Sequence, residues 1–444
     1  MRNEQINTVC FPTKARRTRR RFCIWWAFII FAIISAICVK RWNAWFVNPV
    51  EPSYYSSQIP GRIQLTFGNE GQFSRNVSWQ CGDTLAASQL FIVKSFSADT
   101  VTIPATGKIF QTHGGTTVSY HAKLTGLAEG AYSYSVCTDG QQSAWHNFTV
   151  SKSDRFSFVY LGDIQDTIGS ISKNGIISLK LHEKEPVFIL LGGDVIERPH
   201  DRYWNEYFSS MDSIAPTMPV IACPGNHEYR KGVVSRLEER FVYIFSYLIN
   251  SRSNGNAVFE TRYGNTSIIT LDSNRDVWTL FSQRRWFKHA LQKAQDAQWK
   301  IVVLHHPIYS VRGKFRYFFL RSLFNPLIRE YGVDIVLQGH EHCYARKITK
   351  DKKNNFITPV YLISQFSPKD YRINYDKYYD RYGNGMRFYQ MVDISTDTLL
   401  IRTFTENNDL YDKVIIVKKD GKSQVSDLAI DIPEHFDLNS LRIK

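Results

Sequence analysis

Five short motifs between Phe156 and Arg346 concentrate the residue types that hold metals and move protons. They are Gly162-Asp163-Ile164-Gln165, Gly193-Asp194-Val195-Ile196-Glu197, Gly225-Asn226-His227-Glu228, His305-His306-Pro307-Ile308-Tyr309 and Gly339-His340-Glu341-His342. Asp163, Asp194, Asn226, His305, His340 and His342 offer oxygen and nitrogen donors and no thiolate. Such donors suit Fe, Zn or Mn and argue against copper–thiolate or iron–sulfur centres. Six ligands exceed what one tetrahedral zinc takes. They serve two ions about 3.5–4 Å apart, the spacing that clamps the attacking and leaving oxygens of a phosphoryl displacement. His340 and His342, two apart at a strand end, are expected to face different ions.

The elements that must position these residues are legible just ahead of them. Each motif follows an apolar run: FSFVYL (156–161), VFILL (187–191), MPVIA (218–222), KIVVL (300–304) and VDIVL (333–337). Their unbroken Val, Ile, Leu and Phe content predicts strands buried on both faces, with helices outside. Open α/β sheets gather ligand groups beyond the carboxyl ends of their strands. A lone Gly-Asp or Gly-Asn-His is ordinarily a turn. Five such motifs, each behind a strand, describe one site.

On these motifs the chain resembles the calcineurin-like metallophosphoesterase family, in its purple-acid-phosphatase-like branch. Gln283-Arg284-Arg285-Trp286-Phe287, Trp299-Lys300-Ile301-Val302-Val303 and Tyr331-Gly332-Val333-Asp334 extend the likeness, which covers roughly residues 60–418. The resemblance implies an α/β fold, a two-sheet sandwich flanked by helices and preceded by a fibronectin-III-like β-sandwich. It implies a phosphoric ester hydrolase in which a metal-held hydroxide attacks phosphorus. Asp163 and His342 would hold one ion, Asn226, His305 and His340 the other, with Asp194 bridging. His227 would touch the phosphate and assist the leaving group. The family's His-x-Pro-x-Tyr motif starts at His305, which makes His305 the ligand and not His306. Two positions depart from the branch. Glu197 stands where purple acid phosphatases place a metal-bound tyrosine, so a colourless or weakly coloured enzyme is expected. Gln165 stands where other members carry glycine or a ligating histidine; it either lends its amide oxygen to the same ion or only bonds a neighbour.

The 444 residues are length for two or three domains, and 43% hydrophobic with 22% charged is an ordinary globular composition. Net charge is +14, but residues before Trp42 hold nine basic side chains against Glu4, leaving +6 for the rest. No basic stripe marks a nucleic-acid surface. Residues 1–21 read as a basic tail. Residues 22–39, FCIWWAFIIFAIISAICV, are uncharged and long enough for a single membrane-spanning helix, the basic flank in the cytoplasm and the remainder outside. A cleaved signal peptide is the competing reading, and both put the catalytic part outside the cytosol. Residues 40–59 form a spacer. Residues 60–150 alternate as IQLTF, NVSWQC, TTVSYHAKL, YSYSV and WHNFTV, the pattern of a β-sandwich with Trp79 facing the core. Cys81 and Cys137 lie in it, either as a disulfide, which an oxidising compartment permits, or as free thiols. Cys223 and Cys343 read as packing residues. Asn76, Asn147 and Asn265 head glycosylation sequons.

Residues 151–418 form the catalytic domain, with helices expected over 171–184, 282–298, 318–331 and 233–250. Residues 419–444 carry no strong pattern and are expected to pack loosely. Two segments beyond the motifs are rich in cations and rings: 312–317, with Arg312 and Lys314, and 369–382, with Tyr371 and Arg372. Both leave the sheet at the ligand edge, so they are expected to bind the phosphate ester, the second as one wall of the cleft. The alternative class is a membrane-tethered scaffold on an inactive copy of the fold. Metal content separates the two.

Overall fold

The computed structural model describes residues 14–97, 99–166, 176, 186–247, 257–353, 355–375 and 378–443. Two units are each compact: Met1–Pro49 with Lys231–Val234, and Val50–Arg230 with Ser235–Lys444. In the first, one helix spans Lys14–Phe46, and within its stretch Arg21–Asn43 an 18-residue window reaches mean hydropathy 2.6, long and apolar enough to cross a membrane. Trp25 and Phe28 lie exposed on it. The helix overruns 22–39 at both ends because its Lys- and Arg-rich flanks are good helix formers. Beyond it, Asn48 exchanges two 2.8 Å hydrogen bonds with the backbone of Lys231.

The second unit begins with a β-sandwich. One sheet runs in the order Gly61–Gly68, Gly71–Gln80, Thr116–Leu124, Thr106–Gln111. The other is built on Ser88–Lys94 and Gly130–Thr138, with His146–Val150 paired to the latter. Besides the two-residue Gln141–Gln142, the strands absent from the sequence reading are Ser88–Lys94, Val101–Pro104 and Thr106–Gln111. The last two are edges, where proline is tolerated and alternation need not be kept. Trp79 stacks on Tyr120 in the core, centroids 5.8 Å apart, and donates its indole N–H to Thr138 Oγ1. The opposite faces of the first two strands are polar yet buried, because they dock on the residues that follow the sandwich. Leu65 N donates to Ala215 O, Ser78 Oγ to Ile244 O, and Tyr207 OH to Gln64 Oε1. Asn76 is buried on these strands, so its sequon cannot carry a glycan, whereas Asn147 and Asn265 are exposed. Cys81 and Cys137 are free thiols.

Beyond the sandwich, the chain forms two seven-stranded sheets. The first runs in the order Val220–Ala222, Ile189–Leu191, Phe156–Leu161, Phe388–Ile394, Thr398–Thr405, Leu410–Lys419, Lys422–Asp427. The second runs Phe259–Tyr263, Thr266–Leu271, Trp299–Leu304, Ile335–Gln338, Phe356–Ile363, Tyr344–Lys350, Arg381–Gly383. All five apolar runs are parallel strands: Val159 pairs with Ile189, Ile189 with Val220, and Ile301 with Ile335. Residues of the second sheet alternate between two cores. Ile301, Val303, Ile335 and Leu337 face the core shared with Phe158 and Val392 of the first sheet. Val302, Leu304 and Val336 face Phe287, Leu291, Phe324 and Ile328 of two covering helices. Burial on both faces is why these runs lack alternation.

The covering helices are Val277–Lys293 and Phe318–Glu330. The first starts five residues ahead of the expected 282, because Asp276 caps it by accepting from Trp278 N and Thr279 N. The helix expected over 171–184 falls, Ile176 apart, outside the described residues. The one expected over 233–250 is corrected. Its described part is a strand, Arg236–Leu237, followed by a helix of only six residues, Glu239–Ile244. The chain turns there to bury Arg240 between Glu238 and Glu51. The loose C-terminal extension is corrected too. Lys422–Asp427 closes the first sheet, and beyond it Arg381 donates to Ala429 O and Ile432 O while Tyr382 N donates to Glu434. Leu441–Ile443 pairs in parallel with Ile373–Tyr375.

Candidate metal centre

Asp163, Asp194, Asn226, His305, His340 and His342 each lie within four residues of the carboxyl end of one of the parallel strands. Asp163, Asp194, His340 and His342 all have positive φ, at 42°, 50°, 72° and 46°. Left-handed backbone at a residue with a side chain costs about 1–3 kcal/mol and persists where function fixes it. It also sets how His340 and His342 come to lie in different ligand groups. In extended backbone residues two apart share a face; the left-handed turns are what let these two separate. Gly225 allows the approach, since a Cβ there would lie 2.1 Å from Asp194 Oδ1.

The ligand atoms converge in two overlapping groups. Those of Asp194, His305 and His340, and those of Asp163, Asp194 and His342, lie within 4.8 Å of one another, and Asp194 belongs to both. In the first, His305 Nε2 is 3.1 Å from Asp194 Oδ2, 3.1 Å from Asn226 Oδ1 and 3.2 Å from His340 Nδ1. His305 Nδ1 donates to Gly192 O, which aims Nε2 at this cluster. In the second, Asp163 Oδ1, His342 Nδ1 and Gln165 Oε1 are buried with no hydrogen-bond partner. Gln165 Nε2 is 3.2 Å from His342 Nε2. Acceptors crowded together and left unbonded are what a cation satisfies, so the residues present fit a pair of metal ions.

Electrostatics agree with the geometry. Burial resists protonation of His305, but the Asp194 and Asp163 carboxylates raise its pKa to about 10. Burial would raise Asp194, and His305 and His227 together carry it below the usual carboxylate range. Burial holds His342 down at about 3 and His340 well below its ordinary value, so both imidazoles are neutral and offer lone pairs. His306 packs its ring on His340, centroids 4.3 Å apart, but is held by Ser273: its Nδ1 bonds Ser273 Oγ at 3.0 Å and its backbone N–H donates to the same oxygen.

The family models match this arrangement: the calcineurin-like phosphoesterase model over residues 156–344, and the N-terminal domain of purple acid phosphatase over residues 60–150. Residues 156–344 are a calcineurin-like phosphoesterase domain. An uncharacterised protein of Mycobacterium tuberculosis is 24% identical over 328 residues, covering 64% of this chain and 62% of that protein. Purple acid phosphatase 15 of Arabidopsis thaliana is 24% identical over 338 residues, covering 68% and 58%. The chain thus spans about 60% of the length of these relatives. A solved structure of PhoD covers 88% of this chain and 97% of its own, with TM-score 0.60 and 12% identity, which shows a shared fold.

Two acidic residues of the phosphoesterase domain escaped the sequence reading of roles. Glu228 is fully buried and its carboxylate accepts from the backbone N–H groups of Asp194, Val195, Ile196 and Gly225. It fastens the Asp194 turn to the Asn226 turn. Burial and the Asp194 charge push its pKa up, against those N–H groups that pull it down. Glu341 accepts from Ser310 Oγ and Val311 N, fixing the segment after His305. The only sequence signal was an acid inside each of two motifs.

At the rim, His227 Nδ1 donates to Glu197 O at 2.6 Å and its Nε2 lies 4.0 Å from Asp194 Oδ2. The Glu197 carboxylate pairs with the Lys369 ammonium, which the sequence reading did not single out. Tyr371 rests its ring on His342, centroids 4.4 Å apart, under the Arg312 guanidinium at 4.8 Å. Lys314 instead lies over Tyr378, and Arg372 is exposed. The remainder of the 369–382 wall is corrected. Tyr379 and Tyr382 are buried in an apolar cluster with Val311, Cys343 and Ile373, and Arg381 is spent on backbone carbonyls. Lys377 lies outside the described residues.

Proposed function

We propose that the protein is a dinuclear metal-dependent phosphoric ester hydrolase of the purple-acid-phosphatase type. The observation that carries this reading is the pair of ligand groups sharing Asp194. Asp163, His342 and Asp194 would hold one ion, with Gln165 Oε1 beside them, and Asp194, Asn226, His305 and His340 would hold the other. Fe, Zn or Mn bound there supplies Lewis acidity and lowers the pKa of water for attack on phosphorus. The protein's own residues do the rest. Glu228 fixes the bridging carboxylate through four backbone N–H groups. His227 keeps its Nδ1–H on Glu197 O, so the proton it hands to the departing ester oxygen comes from Nε2. Arg312 and Tyr371 flank the His342 side and receive the substrate's phosphate oxygens and organic group. Helix Arg21–Asn43 anchors the chain in a membrane, with the catalytic domain outside the cytosol.

The test is metal analysis and hydrolysis of monoesters, diesters and nucleotides by the full chain. Two metals per chain and turnover are expected. Asp194→Ala should lose both ions and all turnover, whereas Asn226→Ala should weaken mainly one. Two ions retained in the Asp194 variant would remove the shared-ligand assignment.

A further inference from the structure

One side of the metal centre opens onto an apolar surface that hydrolysis itself does not require. Tyr317 packs its ring on His306 and His340, with centroids 5.0 Å and 5.7 Å away. It stands immediately before helix Phe318–Glu330. Phe315, Phe318 and Phe319 flank it, and Phe319 meets Phe281 edge-on at 5.9 Å. Phe281 belongs to helix Val277–Lys293, whose first turn also presents Val277 and Trp278. Burial is the ordinary state of such side chains, yet Phe315 is 88% exposed, Trp278 82% and Phe318 60%.

Cations are set between the rings. Residues 312–321 hold Arg312, Lys314, Arg316 and Arg321 and no acid. The Arg316 guanidinium lies over Tyr317 and that of Arg321 over Phe318. Large rings side by side with long cationic stems are what a bilayer interface selects: rings settle at headgroup depth while the stems reach phosphates. The acids on this side are already engaged, Asp276 by the N–H groups of Trp278 and Thr279 and the buried Glu341 beside Arg316, so the cations outnumber exposed acid, and an anionic leaflet supplies the opposite charge along its whole surface. The chain also carries a helix long and apolar enough to cross a membrane.

We propose that the surface formed by Val277, Trp278, Phe281, Phe315, Phe318 and Phe319 docks on an anionic phospholipid bilayer, so that the metal centre receives phosphate esters borne on lipid. The docking half stands on exposure and charge. The substrate half rests on the hydrolase reading above.

Hydrogen–deuterium exchange of the full chain decides the docking half without any need for turnover. The chain is compared in nanodiscs of phosphatidylcholine alone and of phosphatidylcholine with phosphatidylserine. Peptides covering 277–281 and 312–319 should exchange about tenfold more slowly on the anionic discs, and added salt should erase the difference. The Trp278→Ser/Phe315→Ser/Phe318→Ser variant should erase it too, as should Phe315→Ser in part, a change too exposed to unfold the domain. Equal exchange on the two discs, or a difference that survives the triple variant, would overturn docking. Protection already present in detergent, without lipid, would mean that a second copy covers the patch and would also overturn it. The substrate half is read from phosphatidic acid in the anionic discs against p-nitrophenyl phosphate in solution. The triple variant should lose about tenfold on the lipid and nothing on the soluble ester. Equal losses on both would overturn the lipid assignment. Hydrolysis of neither by the parent chain would sink the hydrolase reading while the exchange result stood.

Discussion

His227 has one proton already committed, because Glu197 O can only accept and sits 2.6 Å from Nδ1. Whatever proton reaches a leaving group must come from Nε2, which faces the Asp194 carboxylate. His227→Asn is therefore expected to lower kcat about 10²–10⁴-fold on a poor leaving group such as phenyl phosphate, and far less on a dinitrophenyl ester, whose anion departs unaided. Losses equal on both esters would make His227 a structural residue. The two neighbouring histidines separate on similar grounds. His305 is oriented by Gly192 O toward three other donors, while His306 is tied to Ser273. Metal analysis should find a deficit in His305→Ala and a full complement in His306→Ala; the reverse pattern would exchange their roles. All six ligand positions were legible in the sequence because each lies within a few residues of the carboxyl end of a buried strand. Glu228 and Glu341 were not, since they act on backbone N–H groups, and no sequence shows where a distant turn will bring those.

At the scale of elements, the parallel strands were readable because burial on both faces leaves unbroken apolar runs, and the sandwich edges were not because edge strands are free to carry Pro104. The six-residue helix Glu239–Ile244 shows the same limit from the other side. Its apolar spacing favours a long helix, and the buried Arg240–Glu238–Glu51 cluster overrides it. Strand Thr116–Leu124 carries a group with a measurable consequence. His121 is half-buried there beside Tyr243, its Nδ1 without a hydrogen-bond partner. Burial and the Lys123 charge hold its pKa below the ordinary 6.5, against a bond with the backbone of Thr106. The unfolded chain takes up this proton near 6.5 and the folded chain only at lower pH, so the folded state binds fewer protons in between. Stability should therefore fall as pH drops from about 6.5 through the folded pKa. His121→Gln should flatten that part of the Tm-against-pH curve, measured calorimetrically. An unchanged slope would assign the acid sensitivity elsewhere.

At the scale of the whole catalytic unit, the last residues reach back to the rim of the metal centre. Arg381 is buried and gives its protons to Tyr411 O, Ile432 O and Ala429 O, two of them beyond residue 427. Tyr382 N depends on Glu434, Asp437 accepts from and donates to Asn384, and Leu441–Ile443 supplies the strand partner of Ile373–Tyr375. That partnered strand begins two residues after Tyr371, which covers His342, and four after Lys369, which pairs with Glu197. A chain ending at Asp427 would keep both sheets and all six ligand positions. It would strip the Arg381 guanidinium of its bonds to Ala429 O and Ile432 O and leave Tyr382 N without Glu434, at about 1–3 kcal/mol for each group left unsatisfied, and release the 369–382 segment. Two metals should still bind, Tm should fall, and KM for a phosphate monoester should rise well beyond any change in kcat. Restoring the segment as a separate peptide should recover KM if its role is to hold the rim. Loss of metal together with kcat would instead mean that the tail supports the ligand strands themselves, and unchanged KM with a lowered Tm would remove the 369–382 segment from substrate binding.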